Sequence, residues 1–165
     1  MIEKIERPVS LVEATLEGIR SGIINGEFAL GQQITESYLS KTFGLSKTPI
    51  REALSLLKSE GLVESEIHKG FRVFKMDELE LYEFSELRFS LESQALSSAF
   101  KKNRLELVRK LKNVIQEMEE CVSNNEVRKF DLLDTKFHKT FFLISGNRYL
   151  LKSYENISGI IETLR

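Results

Sequence analysis

The chain has 165 residues, 41% hydrophobic and 30% charged, a makeup that fits a globular protein and excludes wholesale disorder. Formal net charge is −1, and the balance holds in both parts of the chain: 10 Lys+Arg against 10 Asp+Glu over residues 1–75, and 14 against 15 over 76–165. No global basicity announces a nucleic-acid partner, so any electrostatic footprint has to be a local patch.

The single cysteine, Cys121, excludes an internal disulfide and a cysteine-rich zinc site. The N-terminal stretch MIEKIERPVSLVEATLEG alternates charged and apolar residues, so it reads as neither a signal peptide nor a membrane anchor. A cytoplasmic protein with no membrane partner is the expectation. Glycines cluster between residues 18 and 70, and residues 76–145 contain neither Gly nor Pro. That contrast divides the chain into a turn-rich unit, 1–75, and a helical unit, 76–165.

In the first unit, Leu11, Ala14 or Thr15, Ile19 and Ile23 recur at helical spacing and stop at Asn25-Gly26. A second helix fits TESYLSKTF, with Thr35 as N-cap and Gly44 as its stop. The third is GLSKTPIREALSLLKSEGL, residues 44–62, where Ile50, Ala53, Leu54 and Leu57 form an apolar stripe. Lys47, Arg51, Ser55 and Lys58 follow the same period on another face. Pro49 suits the first turn, where its missing N–H removes no helical bond, and either Ser46 or Thr48 is the N-cap. Beyond Gly61, LVES and FRVF read as strands joined through EIHKG with glycine at the turn. Three helices followed by such a hairpin make a winged helix-turn-helix.

The second unit opens at DELE, where Asp77 and Glu80 fit a capping box. Helices are expected at 77–101, 104–123 and 126–145, with Asn103 and Asn125 as N-caps, Gly146 as a stop and a last helix from about Asn147. Leu105, Val108, Leu111, Ile115, Met118 and Val122 form a stripe that could supply core and dimer surface. The expected fold class is mainly α, a winged helix-turn-helix followed by an all-α antiparallel helical bundle.

The third helix carries the first functional signal. A helix that enters the major groove needs small or cationic residues in its first turns, and here these are Ser46, Lys47, Thr48 and Arg51. Free N–H groups and the positive helix end at that point favour phosphate. Lys41 before it, and His68, Lys69 and Arg72 on the hairpin, could extend the same positive surface. Residues 41–58 hold four cations against Glu52 alone. The bland alternative is the solvated face of an amphipathic helix.

The stretch from Gly26 to Phe74 resembles the N-terminal domain of GntR-type bacterial transcription regulators. Four hallmarks carry the resemblance: Ile23 to Gly31, Ser46 to Leu54, Leu57 to Leu62, and the glycine-tipped wing at Gly70. It implies that Arg51 and Thr48 reach DNA in the major groove while the Lys69-Gly70 tip approaches the minor groove. Lys47 departs from the arginine usual in the family; lysine keeps the charge but loses the bidentate fork.

The 126–145 helix carries the second signal. Val127, Phe130, Phe137 and Phe141 mark its core stripe, and Asp134 and His138 fall on that stripe one turn apart. Polar groups facing a core are costly unless paired or ligated. The i, i+4 spacing allows either an internal Asp–His pair or convergence on one ion. DLLDTKFHKTFFLISGN resembles the signature of the FCD effector domain of the FadR-like GntR subfamily, and ELRFSLES, with Arg88 and Glu92, resembles its first-helix segment. The resemblance implies a divalent metal of Zn, Ni or Mn type on Asp134 and His138, with two further histidines from later helices. It also implies an organic-acid effector beside the metal and Arg88 facing that pocket. An i, i+4 ion pair between Arg88 and Glu92 is the plain alternative. The only other histidine is His68, so the metal set is incomplete and the effector domain reads as shortened at Arg165.

The function expected is a transcription regulator, a repressor, that binds a palindromic operator in double-stranded DNA as a homodimer under the control of a small-molecule effector. A winged-helix protein-interaction module that does not read DNA is the alternative. An enzyme ranks last, because no nucleophile, phosphate loop or second carboxylate cluster accompanies Asp134 and His138.

Overall fold

The computed structural model describes residues 10–66 and 69–165, so the expectation for His68 lies outside the described residues. The elements in order are α1 (Leu11–Ile24), β1 (Gln33–Ile34), α2 (Glu36–Phe43), α3 (Lys47–Ser59), β2 (Val63–Glu66), β3 (Gly70–Val73), α4 (Glu78–Asn124), α5 (Val127–Ser145) and α6 (Arg148–Thr163). The chain divides into two compact units at Lys75 and Met76.

In the first unit, α1 starts at a capping box formed by Ser10 and Glu13 and buries Thr15, Ile19 and Ile23. Leu11, expected in that stripe, is 62% exposed at the first position of α1. Thr35 caps α2 by accepting a bond from the Tyr38 N–H at 3.1 Å, and Gly44 ends it in the left-handed region. The four stripe residues of α3 are fully buried. Burying an Ile or Leu contributes about 2 kcal/mol each, so this face anchors the helix and fixes which residues point outward.

The wing is a three-stranded antiparallel sheet in the order β1-β3-β2, with Gln33 opposite Arg72 and Val63 opposite Val73. The two-residue strand β1 is absent from the sequence expectation. It owes its existence to pairing with β3 rather than to any pattern of its own.

In the second unit, the helices expected at 77–101 and 104–123 both form, meet at Asn103 and are numbered together as α4. Asp77 and Glu80 form the capping box at its start. Asn103, with φ −155° and ψ 75°, interrupts the helix as a kink, and its side chain caps the next turn by accepting from the Glu106 N–H at 3.2 Å. Asn125, expected as an N-cap, instead ends α4 in the left-handed region with φ 56°. Glu126 takes the N-cap position of α5 without a side-chain cap bond. Asn147 accepts from the N–H groups of Tyr149 and Leu150 at the start of α6.

The core of this unit gathers Ala95, Ala99 and Leu107 of α4 with Phe141 and Phe142 of α5 and Tyr154 and Ile161 of α6. Phe142 and Tyr154 stack with ring centroids 4.2 Å apart. Beyond the kink, the buried α4 residues are Leu107, Val114 and Cys121, one heptad apart, with Leu111 and Met118 packed beside them. Leu105, Val108, Ile115 and Val122 of the expected stripe are exposed, as is Val127 of α5. No helix among the described residues is long and apolar enough to cross a membrane.

Candidate nucleic-acid interface and effector site

At the entry end of α3, Ser46 occupies the N-cap position with no side-chain cap bond, followed by Lys47, Thr48 and Pro49 as the first three helical residues. The proline thus sits where no intrahelical N–H is lost. Lys47, Thr48 and Arg51 are exposed, as is Lys41 on α2. Lys58 is drawn away toward the wing, where its Nζ donates to Ser65 Oγ at 2.7 Å.

Arg51 is not a free cation. Its Nε donates to Glu36 Oε1 at 2.8 Å and its Nη2 to Glu36 Oε2 at 2.7 Å, a two-pronged pair between α3 and the first residue of α2. The hydrogen bonds from Arg51 hold the Glu36 carboxyl below the usual carboxylate range, with the nearby Lys47 charge adding to the effect. No sequence pattern pairs residues 15 apart across two helices, so Glu36 escaped the sequence reading.

The wing tip is braced from β1, where Gln33 Nε2 donates to the Lys69 carbonyl at 2.8 Å. Gly70 has φ +93°, and a Cβ there would lie 3.2 Å from the Ile34 carbonyl oxygen. Both features require glycine at this point. Lys69 is exposed. Arg72, expected to extend the positive surface, is ion-paired with Glu66 across the wing, which neutralises it.

The helical unit brings Arg88, Asp134 and His138 together. His138 Nε2 lies 3.6 Å from Asp134 Oδ1 and 3.4 Å from Arg88 Nη2, and its Nδ1 lies 3.1 Å from Glu92 Oε2. That last approach is off the line of a ring N–H, which leaves the buried Nδ1 without a directed hydrogen bond. The plain i, i+4 pair is present too: Arg88 Nε donates to Glu92 Oε1 at 2.7 Å. Burial opposes the charge on Glu92, but its close contacts with His138 and Arg88 outweigh it and hold the carboxyl below its usual range. Arg165 closes the far end, with Nη2 2.6 Å from Asp134 Oδ2 and Nη1 donating to Thr135 Oγ1 at 2.7 Å. Phe137 and Phe141 flank the imidazole edge-on.

A divalent ion would need these carboxylates, yet each is turned onto a guanidinium. Among the described residues no group of three or more His, Cys, Asp or Glu side chains is arranged to hold a metal. The residues present therefore do not fit a metal centre as they are placed. They make instead a chain of polar contacts, Arg165–Asp134–His138–Glu92–Arg88, packed against aromatic rings.

Comparison with known proteins follows the division of the fold. Residues 11–73 match the family described as bacterial regulatory proteins, gntR family, and residues 83–165 match the FCD domain. The chain is 29% identical to the uncharacterized HTH-type transcriptional regulator YdhC of Bacillus subtilis (strain 168), covering 98% of this chain and 73% of that protein. It is 30% identical to the HTH-type transcriptional repressor GlaR of Escherichia coli (strain K12), covering 89% and 69%. The solved structure of E. coli McbR/YncC shares the fold with a TM-score of 0.75 at 19% identity, over 94% of this chain and 74% of that one. The chain spans between 59% and 73% of the length of the regulators that match it first. By its two domains and these relatives, the chain belongs to the GntR family of bacterial regulatory proteins, in the FadR-like branch that pairs a winged helix-turn-helix with an FCD domain.

Proposed function

We propose that this chain is a sequence-specific transcription regulator, acting as a repressor, that reads a palindromic operator as a homodimer in the cytoplasm. The observation that carries the reading is the division of α3: Ile50, Ala53, Leu54 and Leu57 are fully buried, while Lys47, Thr48 and Arg51 face outward. A helix anchored in this way can enter a major groove without giving up its packing. Lys41 and Ser46 supply phosphate contacts, and the Lys69-Gly70 tip reaches the minor groove. That GlaR is named a repressor supports the same sign of regulation.

The helical unit is the sensing half, and its effector is a small organic anion. Arg88, with its side chain 31% exposed and resting on Glu92, is the cation on which a carboxylate would land, with His138 and Asp134 beside it.

The test is selection of a duplex from a random library by the protein, then titration of that duplex against salt. Binding with a steep salt slope that falls about tenfold to a hundredfold in Arg51→Ala supports the reading. Salt-independent or absent DNA binding would favour the protein-interaction module. Binding untouched by Arg51→Ala would remove α3 as the reading helix.

A further inference from the structure

Glu36 is the residue of the DNA-binding unit that no family signature in the sequence singled out, and its geometry is specific. It is the first helical residue of α2, fixed in place by the Thr35 cap, and its carboxylate lies at the helix N-terminus where negative charge is favoured. Its side chain is 23% exposed, whereas that of Arg51 is 63% exposed. The carboxylate therefore sits beneath and the guanidinium projects outward.

An arginine carries five N–H donors in a rigid plane. Two of Arg51's, on Nε and Nη2, go to the two oxygens of Glu36. What remains is the opposite edge, with both N–H groups of Nη1 and the second of Nη2. That edge is a fork of two parallel donors, the shape that fits the O6 and N7 acceptors of guanine in the major groove. An unpaired arginine on an exposed helix samples many rotamers and settles as readily on a phosphate, which carries no sequence information.

We infer that Glu36 is a positioning residue for sequence readout: its bidentate grip on Arg51 presents the free guanidinium edge to a guanine and withholds the cation from phosphates. The inference rests on the DNA-reading role proposed above for α3. Two consequences follow from it. Loss of the carboxylate lowers affinity for the correct site, because Arg51 is no longer held in the reading geometry. The same loss leaves or raises affinity for arbitrary DNA, because a cation is released and a negative charge facing the phosphates disappears.

The experiment compares the full chain with Glu36→Gln, Arg51→Ala and the double variant on the selected duplex and on a random duplex of equal length. Glu36→Gln is expected to lose about tenfold on the selected duplex, with unchanged or tighter binding to the random one. Its salt slope on random DNA should steepen by roughly one phosphate contact. In the Arg51→Ala background the added Glu36→Gln should leave the ratio of the two affinities unchanged. A ratio preserved in the single variant overturns the inference, as does a drop that persists without Arg51. Equal loss on both duplexes together with a lower unfolding temperature makes Glu36 a residue of the fold alone and also overturns it. If the parent protein itself does not discriminate between the duplexes, the DNA-reading proposal fails, and this inference with it.

Discussion

His138 Nδ1 lies 3.1 Å from Glu92 Oε2, although the two residues sit 46 positions apart on α4 and α5. Glu92 is the hinge of the polar cluster, because its other oxygen holds Arg88. Removing one partner of a largely buried charge pair leaves the others uncompensated, so Glu92→Ala should cost about 2 kcal/mol in urea unfolding at neutral pH. The pH dependence has a definite sign. A carboxyl held below its ordinary pKa contributes stability that is fully present above about pH 4.5 and is lost as pH falls through its folded value. The parent protein should therefore lose more stability between pH 6 and pH 3.5 than Glu92→Gln does. Superimposable pH profiles would contradict this role for Glu92.

Arg165 on Asp134 and Arg88 on Glu92 place guanidinium groups where a metal ion would need carboxylate oxygens. This chain should accordingly retain less than one equivalent of Zn, Ni or Mn after dialysis, and EDTA should not move its unfolding temperature. A stoichiometric metal that disappears in Asp134→Ala would show that the pair converges on an ion instead.

Gly70 combines a left-handed backbone with a close approach to β1. Gly70→Ala places a Cβ 3.2 Å from the Ile34 carbonyl oxygen at φ +93°, and Ile34 pairs directly with Phe71. The expected cost is about 1–3 kcal/mol in thermal unfolding. Weaker binding to all DNA should accompany it, since the wing tip is displaced. An alanine variant as stable as the parent would mean that β1 gives way without cost.

The features legible in the sequence were those decided within a few residues. Thr35, Asp77 and Asn103 cap the turns that follow them because a short polar side chain meets an N–H three positions on, whereas Asn125, expected to do the same, takes the left-handed end of α4. The buried face of α3 was equally plain, since its period is set by one helix packing on one core. What stayed hidden depends on partners distant in the chain. Strand β1 exists only through β3; Glu36 is defined by Arg51 and Arg165 by Asp134. Leu105 and Val108 fit a helical stripe, but the face that packs into the core of the unit is the one carrying Leu107, Val114 and Cys121. Periodicity can count stripes but cannot say which of two a neighbouring helix covers.

The homodimer proposed above would use the outward side of α4. Leu79, Tyr82, Phe89, Leu96 and Phe100 are 65%, 62%, 73%, 40% and 49% exposed, and they fall about one heptad or half a heptad apart. That spacing keeps them on one side of the helix, away from the core positions Ala95 and Ala99. Two copies of the segment before the Asn103 break, laid antiparallel, would bury this apolar stripe against itself, the self-complementarity that a two-fold interface demands. Phe89→Glu should then yield monomers in sedimentation at micromolar concentration and weaken operator binding, with far-ultraviolet circular dichroism unchanged. A Phe89→Glu protein that remains dimeric would place the interface on another surface of the chain.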